Sequence, residues 1–277
     1  MVDNHAVPGT VEALLDRCRN ADGGYGPRVG EASELEPTAL AAMAFDDPDA
    51  KAWLATEQRE NGSFAIEAGP YVNDSATGLC ALALDPGAAR ERALDYLEKA
   101  RAQRVDSSAA TPIDPTAIGW GWTTGTASWV EPTARALWAL RVARPGSERI
   151  GDATALLRDR ESVGGGWNYG NREVLGEELP PFAQTTAMAL IGLRSLDPEL
   201  ESRGLATLAR LWHVESAGGL SLATSLMAFR IHDDDIDAEM VRVSLERLVE
   251  ETALLGNGIA LAWAALALGD RLPGTEG

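Results

Sequence analysis

Basic residues are scarce in this chain of 277 residues: 24 Lys and Arg stand against 42 Asp and Glu, a formal charge of −18. A surface that acidic repels phosphate backbones and anionic headgroups over a Debye length of roughly 8 Å at physiological salt. No run of Lys and Arg reverses the sign locally, so nucleic acid and electrostatic membrane docking are both excluded as expectations. Cysteine is as sparse. Cys18 and Cys80 each sit in an apolar helical pattern, as small buried hydrophobes do, and no disulfide framework is implied. Long apolar runs are missing too, and Met1 to Thr10, with Asp3, His5, Pro8 and Gly9, has the character of neither a signal peptide nor an anchor. A cytoplasmic protein without an integral membrane segment is expected.

What the chain has instead is repetition. Glycine clusters followed by an aromatic or apolar residue recur along it: Gly23-Gly24-Tyr25, Gly62-Ser63-Phe64, Gly119-Trp120-Gly121-Trp122, Gly164-Gly165-Gly166-Trp167, Gly218-Gly219-Leu220 and Gly256-Asn257-Gly258. Before each cluster runs an amphipathic helix. In one, Val241, Leu245, Leu248 and Val249 share a face, while Arg242, Glu246, Arg247 and Glu250 fill the opposite one. After each cluster the helix is apolar and small nearly all round, as in Ala76-Thr77-Gly78-Leu79-Cys80-Ala81-Leu82-Ala83-Leu84. Such helices are buried on every side. Six such pairs predict an all-α, (α/α)6 toroid spanning residues 1–277 as a single domain, with six outer helices around six inner ones. An open solenoid would need polar capping repeats, whereas the last inner helix, with Trp263, is as apolar as any.

The segments Lys51 to Phe64 and Ala155 to Asn171 resemble the QW repeats of squalene-hopene and oxidosqualene cyclases, with Gln58 matching the repeat Gln and Arg160 replacing it in the second copy. The resemblance covers the whole chain and places it with the terpene cyclase and protein prenyltransferase β-subunit superfamily, the proteins of the prenyltransferase and squalene oxidase repeat. It implies an isoprenoid or terpenoid partner and isomerase-type cyclisation. Class II cyclases of that family carry an Asp-x-Asp-Asp-Thr-Ala signature whose middle Asp is the proton donor. Here Tyr71-Val72-Asn73-Asp74-Ser75-Ala76 is nearest, which leaves Asp74 and puts Asn73 at the donor's place. The run Asp233-Asp234-Asp235-Ile236-Asp237 reads as a loop and helix cap. The zinc-binding Asp, Cys and His set of the prenyltransferases is absent, so neither metal nor cofactor is expected.

If the inner helices line a cavity, their starts gather at one mouth. Leu35-Glu36-Pro37-Thr38, Val130-Glu131-Pro132-Thr133 and Ala183-Gln184-Thr185-Thr186 are alike, and taken in register with Asn73-Asp74-Ser75 they make Glu36, Asn73, Glu131 and Gln184 equivalent. Glu131, Asp74 and Glu36 are therefore the candidate acids, because a carboxyl beside apolar rings holds its proton. The same two glutamates also suit a structural part, since Glu-Pro-Thr opens a helix and Glu131 has Arg135 one turn on. Candidate aromatic walls are Trp120, Trp122, Trp129, Trp138, Trp167, Tyr169 and Trp263, whose faces attract carbocations by about 2 kcal/mol when desolvated. Candidate lids are the connection from Arg104 to Ser128 and the loop 168–181, where Arg172 is the single cation. Three readings stand: an acid-initiated cyclase, a binding or accessory subunit that has lost the acid, and a carbohydrate-active enzyme using Glu36 and Glu131.

Overall fold

The computed structural model describes residues 6–65, 74–216 and 218–274. Twelve α-helices alternate between two layers. The outer ones are α1 (Ala6–Asp16), α3 (Pro48–Glu57), α5 (Ala88–Lys99), α7 (Arg149–Asp159), α9 (Pro198–Leu211) and α11 (Asp235–Thr252). The inner ones are α2 (Leu35–Phe45), α4 (Asp74–Ala83), α6 (Val130–Ala143), α8 (Ala183–Leu193), α10 (Gly219–Ile231) and α12 (Gly258–Leu268). A short antiparallel hairpin, β1 (Glu173–Val174) and β2 (Glu177–Glu178), lies in the loop before α8.

Each inner helix packs on the next in the order α2, α4, α6, α8, α10, α12, and α12 packs back on α2. That cyclic pattern is toroid-like, as expected of an inner layer apolar on every side. The seam is tied by the backbone too, where Gly258 N–H donates to Pro27 O at 2.7 Å. At the opposite end of the ring the chain's last described residues run from α12 to α6, and Trp138 Nε1 donates to Pro273 O at 2.9 Å. Among the described residues no helix is long and apolar enough to cross a membrane.

Three of the glycine clusters share one physical cause. In three repeats the same turn forms: Asn20 N–H donates to Gly24 O, Arg59 N–H to Ser63 O, and Ser162 N–H to Gly166 O. Its second-last residue, Gly23, Gly62 or Gly165, runs against the next outer helix. At Gly62, φ is +89° and a Cβ would stand 2.0 Å from Arg92 O. Only glycine fits there. After the turn the chain enters the inner helix, and a threonine one turn in secures it. Thr38, Thr77, Thr133 and Thr186 each accept, at Oγ1, the backbone N–H of Tyr25, Phe64, Trp120 and Trp167 respectively.

Outer helices begin on acids. Asp47, Asp197 and Asp234 accept first-turn N–H groups of α3, α9 and α11, and in the first two proline follows. The Asp233 to Asp237 run is thus a loop and cap, with Asp237 also accepting Trp212 Nε1–H at 3.1 Å. Gln58 ties α3 to α5 by donating to Ala89 O at 2.8 Å.

Candidate functional site at the ring mouth

The threonine ties define the register of the inner helices. Two residues before each stands Glu36, Ser75, Glu131 and Gln184. The expected alignment of Asn73 with Glu131 is therefore displaced by two residues: Ser75 occupies the equivalent place. Asn73 itself lies outside the described residues. Asp74 falls one position earlier, level with Leu35 and Val130, and turns toward the outer layer. There it accepts a 2.7 Å hydrogen bond from Tyr96 Oη of α5, whose hydroxyl also meets Thr124 Oγ1 at 3.1 Å. Burial raises its pKa, opposed by those two hydroxyls. Asp74 is a protonatable carboxyl, but it is not brought together with Glu36 and Glu131.

Those two are brought together, by Arg135. One turn after Glu131 on α6, Arg135 is 3% exposed and reaches past α4 to α2. Its Nη1 donates to Glu36 Oε2 at 3.0 Å and its Nη2 to Glu36 Oε1 at 2.9 Å, a bidentate pair. The same Nη2 donates to Glu131 Oε1 at 2.5 Å. Trp263 of α12 closes the cluster, with Nε1–H donating to Glu36 Oε1 at 2.9 Å and the guanidinium carbon 5.5 Å from its ring centroid. Three of the six inner helices thus meet across the ring.

The environment separates the two carboxyls. Burial works to raise Glu36, but the charge and hydrogen bonds of Arg135 and the Trp263 N–H outweigh it and hold Glu36 below the usual glutamate range. Glu131 is pushed above that range, first by burial, then by the Glu36 charge, with Arg135 opposing. Arg135 is lifted further, because its two carboxylates outweigh its own burial. Glu36 keeps 26% of its side-chain surface accessible, so a path leads from solvent to the cluster, while Glu131 keeps 5%. Among the described residues of the cluster and its register, Arg135 Nε and Ser75 Oγ have no hydrogen-bond partner.

The close approach that makes the cluster possible depends on glycine. A Cβ on Gly78 of α4 would lie 2.9 Å from Arg135 O, and one on Gly192 of α8 2.8 Å from Ala134 O. Between α8, α10 and α12 the mouth opens into a recess of about 400 Å³ that Gln184, Leu220, Leu254 and Ala260 help to line.

The remaining aromatic candidates divide. Trp120, Trp138 and Trp167 are fully buried and spend their indole N–H on Leu97 O, Pro273 O and Leu157 O, which makes them ties between elements. Trp120 also packs under Arg149 at 4.1 Å. Trp122, Trp129 and Tyr169 are partly exposed, Tyr169 lying 5.3 Å from Phe182. The two candidate lids meet each other, since Leu175 N–H donates to Ala110 O at 2.7 Å. Among the described residues no group of three or more His, Cys, Asp and Glu is placed to hold a metal ion.

Arg135 as the centre of the site was not legible in the sequence beyond its spacing from Glu131. Its partner Glu36 lies 99 residues away and Trp263 lies 227 residues from Glu36.

No family model matches the chain, and no curated protein matches it. Among solved structures, the crystal structure of a protein from Actinoplanes is similar over 95% of this chain and 97% of its own, with a TM-score of 0.56 and 18% identity. At that identity the likeness concerns the fold alone.

Proposed function

We propose that the chain is a cyclase-like enzyme that holds an isoprenoid or similar apolar chain at the ring mouth and starts its reaction by proton transfer from Glu131. The observation that carries this reading is a deeply buried carboxyl, raised in pKa, at the start of an inner helix. The recess beside Gln184 offers apolar walls of Leu220 and Leu254 for such a chain. In the reaction the Glu131 O–H bond breaks as the π electrons of a terminal alkene form the new C–H bond, leaving positive charge on the neighbouring carbon. The next double bond attacks that carbon, and loss of a proton to water ends the sequence. Arg135, already hydrogen-bonded to Glu131, stabilises the carboxylate left behind.

A second reading, a binding or accessory protein without catalysis, draws support from the same 2.5 Å bond, because a guanidinium favours the ionised form of the acid. The carbohydrate reading is the weakest. One guanidinium bridges Glu36 and Glu131 and fills the space in which a glycosidic bond would have to lie.

Incubation with linear polyprenyl hydrocarbons of graded length, followed by mass spectrometry of the extract, separates the first two readings. A cyclised product from the wild type, reduced by a factor of about 10² or more in Glu131→Gln, is expected of the enzyme. Retention of an unaltered chain favours the binding protein, and full turnover by Glu131→Gln refutes the acid.

A further inference from the structure

The connection from Arg104 to Ser128 and the turn at Gly170 and Asn171 enclose a second recess, of about 110 Å³, outside the cluster of Glu36, Arg135 and Glu131. At roughly 30 Å³ per water, that is room for three or four waters or for one short organic molecule. We propose that it binds a small organic monocarboxylate, the carboxylate on Arg160 and the apolar body against Trp129.

Arg160 lines the recess at 5% exposure, and burying a guanidinium that deeply demands partners. It has one hydrogen-bonding partner among the described residues, Asp159, reached through Nη1. Its Nε has none. A guanidinium carries five N–H donors in a planar fork, so an edge of the fork is left to serve a ligand. The nearby acids are committed elsewhere. Asp159 Oδ1 also accepts Asp114 N–H at 3.0 Å, and Asp114 accepts both the N–H and the hydroxyl of Thr116.

Charge argues for the sign of the occupant. Arg104 and Arg160 line the recess against one carboxylate, the exposed Asp114, and Arg172 stands near Arg160. The Arg160 pKa is lowered, by burial first, with Arg172 adding and Asp159 and Asp114 opposing. An anion seated on the open edge of the fork would offset that burial. Size argues for the kind of anion. One guanidinium edge matches the two oxygens of a carboxylate, and Val105, Ile113, Ile118 and the Trp129 ring provide an apolar wall for a short carbon body. Gly170 supports that ring from beneath, since a Cβ there would stand 3.1 Å from it. This site does not depend on the proposed enzymatic activity.

Titration of the isotope-labelled protein with butyrate, its neutral isostere butyramide and inorganic phosphate, followed by amide chemical shifts, tests the assignment. Butyrate is expected to move resonances within 103–118, 127–129 and 170–171, butyramide to bind at least tenfold more weakly, and Arg160→Gln to abolish the butyrate response. Equal responses to butyrate and butyramide, tenfold tighter binding of phosphate, or butyrate shifts confined to the ring mouth would each overturn it. If Arg160→Gln does not fold, the comparison of the three ligands on the wild type still decides.

Discussion

Arg135→Met removes the guanidinium while keeping an unbranched apolar side chain of similar reach. Three hydrogen bonds to carboxylates vanish, and Glu36 and Glu131 are left facing each other at a depth where Arg135 itself was 3% exposed. Removing one partner of a buried ion pair costs about 3–5 kcal/mol, most of it the uncompensated charge that remains. For a chain of this length that corresponds to a fall in Tm of about 5–9 °C at pH 7. The pH dependence identifies the cause. Without Arg135 both carboxyls rise in pKa, so they take up protons on mild acidification, and the cost shrinks to less than half by pH 4.5. Adding Glu36→Gln to Arg135→Met recovers at least half of the loss at pH 7, because it removes one of the two stranded charges. Calorimetric melts of the three proteins at both pH values measure all of this. A loss under about 1 kcal/mol, or one of equal size at pH 7 and pH 4.5, would show that the cluster is neither buried nor coupled as described.

Glu131→Gln is expected to be neutral or stabilising at pH 7. Its folded pKa is raised, so the wild type loses stability relative to the variant as pH climbs from the unfolded value of about 4.3 through the folded one. Glu36→Gln has the opposite sign: its folded pKa is lowered, so the wild type's advantage is full above about pH 4.3 and fades as pH falls through the folded value; urea titrations across pH 3.5–7.5 read both. His232 is buried against Glu201, Arg194 and Arg141, and burial lowers its pKa. The wild type is therefore expected to lose stability as pH drops below about 6.5, and His232→Gln to flatten that slope in the same titrations. Thr133→Val leaves the Trp120 N–H without its partner and is expected to cost about 1–3 kcal/mol, checked by thermal melts, with Thr38→Val behaving alike at Tyr25.

Periodicity and glycine punctuation made the layers and their order legible, since an outer helix with one wet face and an inner helix with none can be told apart from composition alone. Closure of the ring followed from the apolar last helix. The register of α4 did not. Asp74 carries the eye to the acids of α2 and α6, but alignment of the inner helices rests on the threonine thirteen or nineteen residues beyond the N–H it accepts, and that interval varies with the connection. The buried tryptophans take their places from the turns as well. Trp120 and Trp167 follow glycine turns, so the backbone delivers them between layers, where their N–H groups meet the carbonyls of α5 and α7.

The corrected register changes what the mouth is. Level with Glu36, Ser75, Glu131 and Gln184 on the first four inner helices, the starts of α10 and α12 present Leu220 and Ile259. The charged groups are confined to the side of α2 and α6, while the recess on the other side mixes Leu220, Leu248 and Leu254 with Gln184, Ser221, Thr252 and Asn257. Around the mouth Glu131 and Ser75 are buried, whereas Glu36, Gln184, Leu220 and Ile259 are half-buried and form the accessible arc. Two polar groups without partners, Arg135 Nε and Ser75 Oγ, lie on the charged side. An unpaired polar atom at such depth costs about 1–3 kcal/mol, and Arg90, Arg149, Arg160 and Ser225 carry such atoms elsewhere in the fold, so it is the meeting of Arg135 with two carboxyls that sets the mouth apart. On the proposed reading, the open donor of Arg135 and the hydroxyl of Ser75 would be the groups that meet the polar or reactive end of a bound chain, and variants at either position should then alter binding without altering the fold.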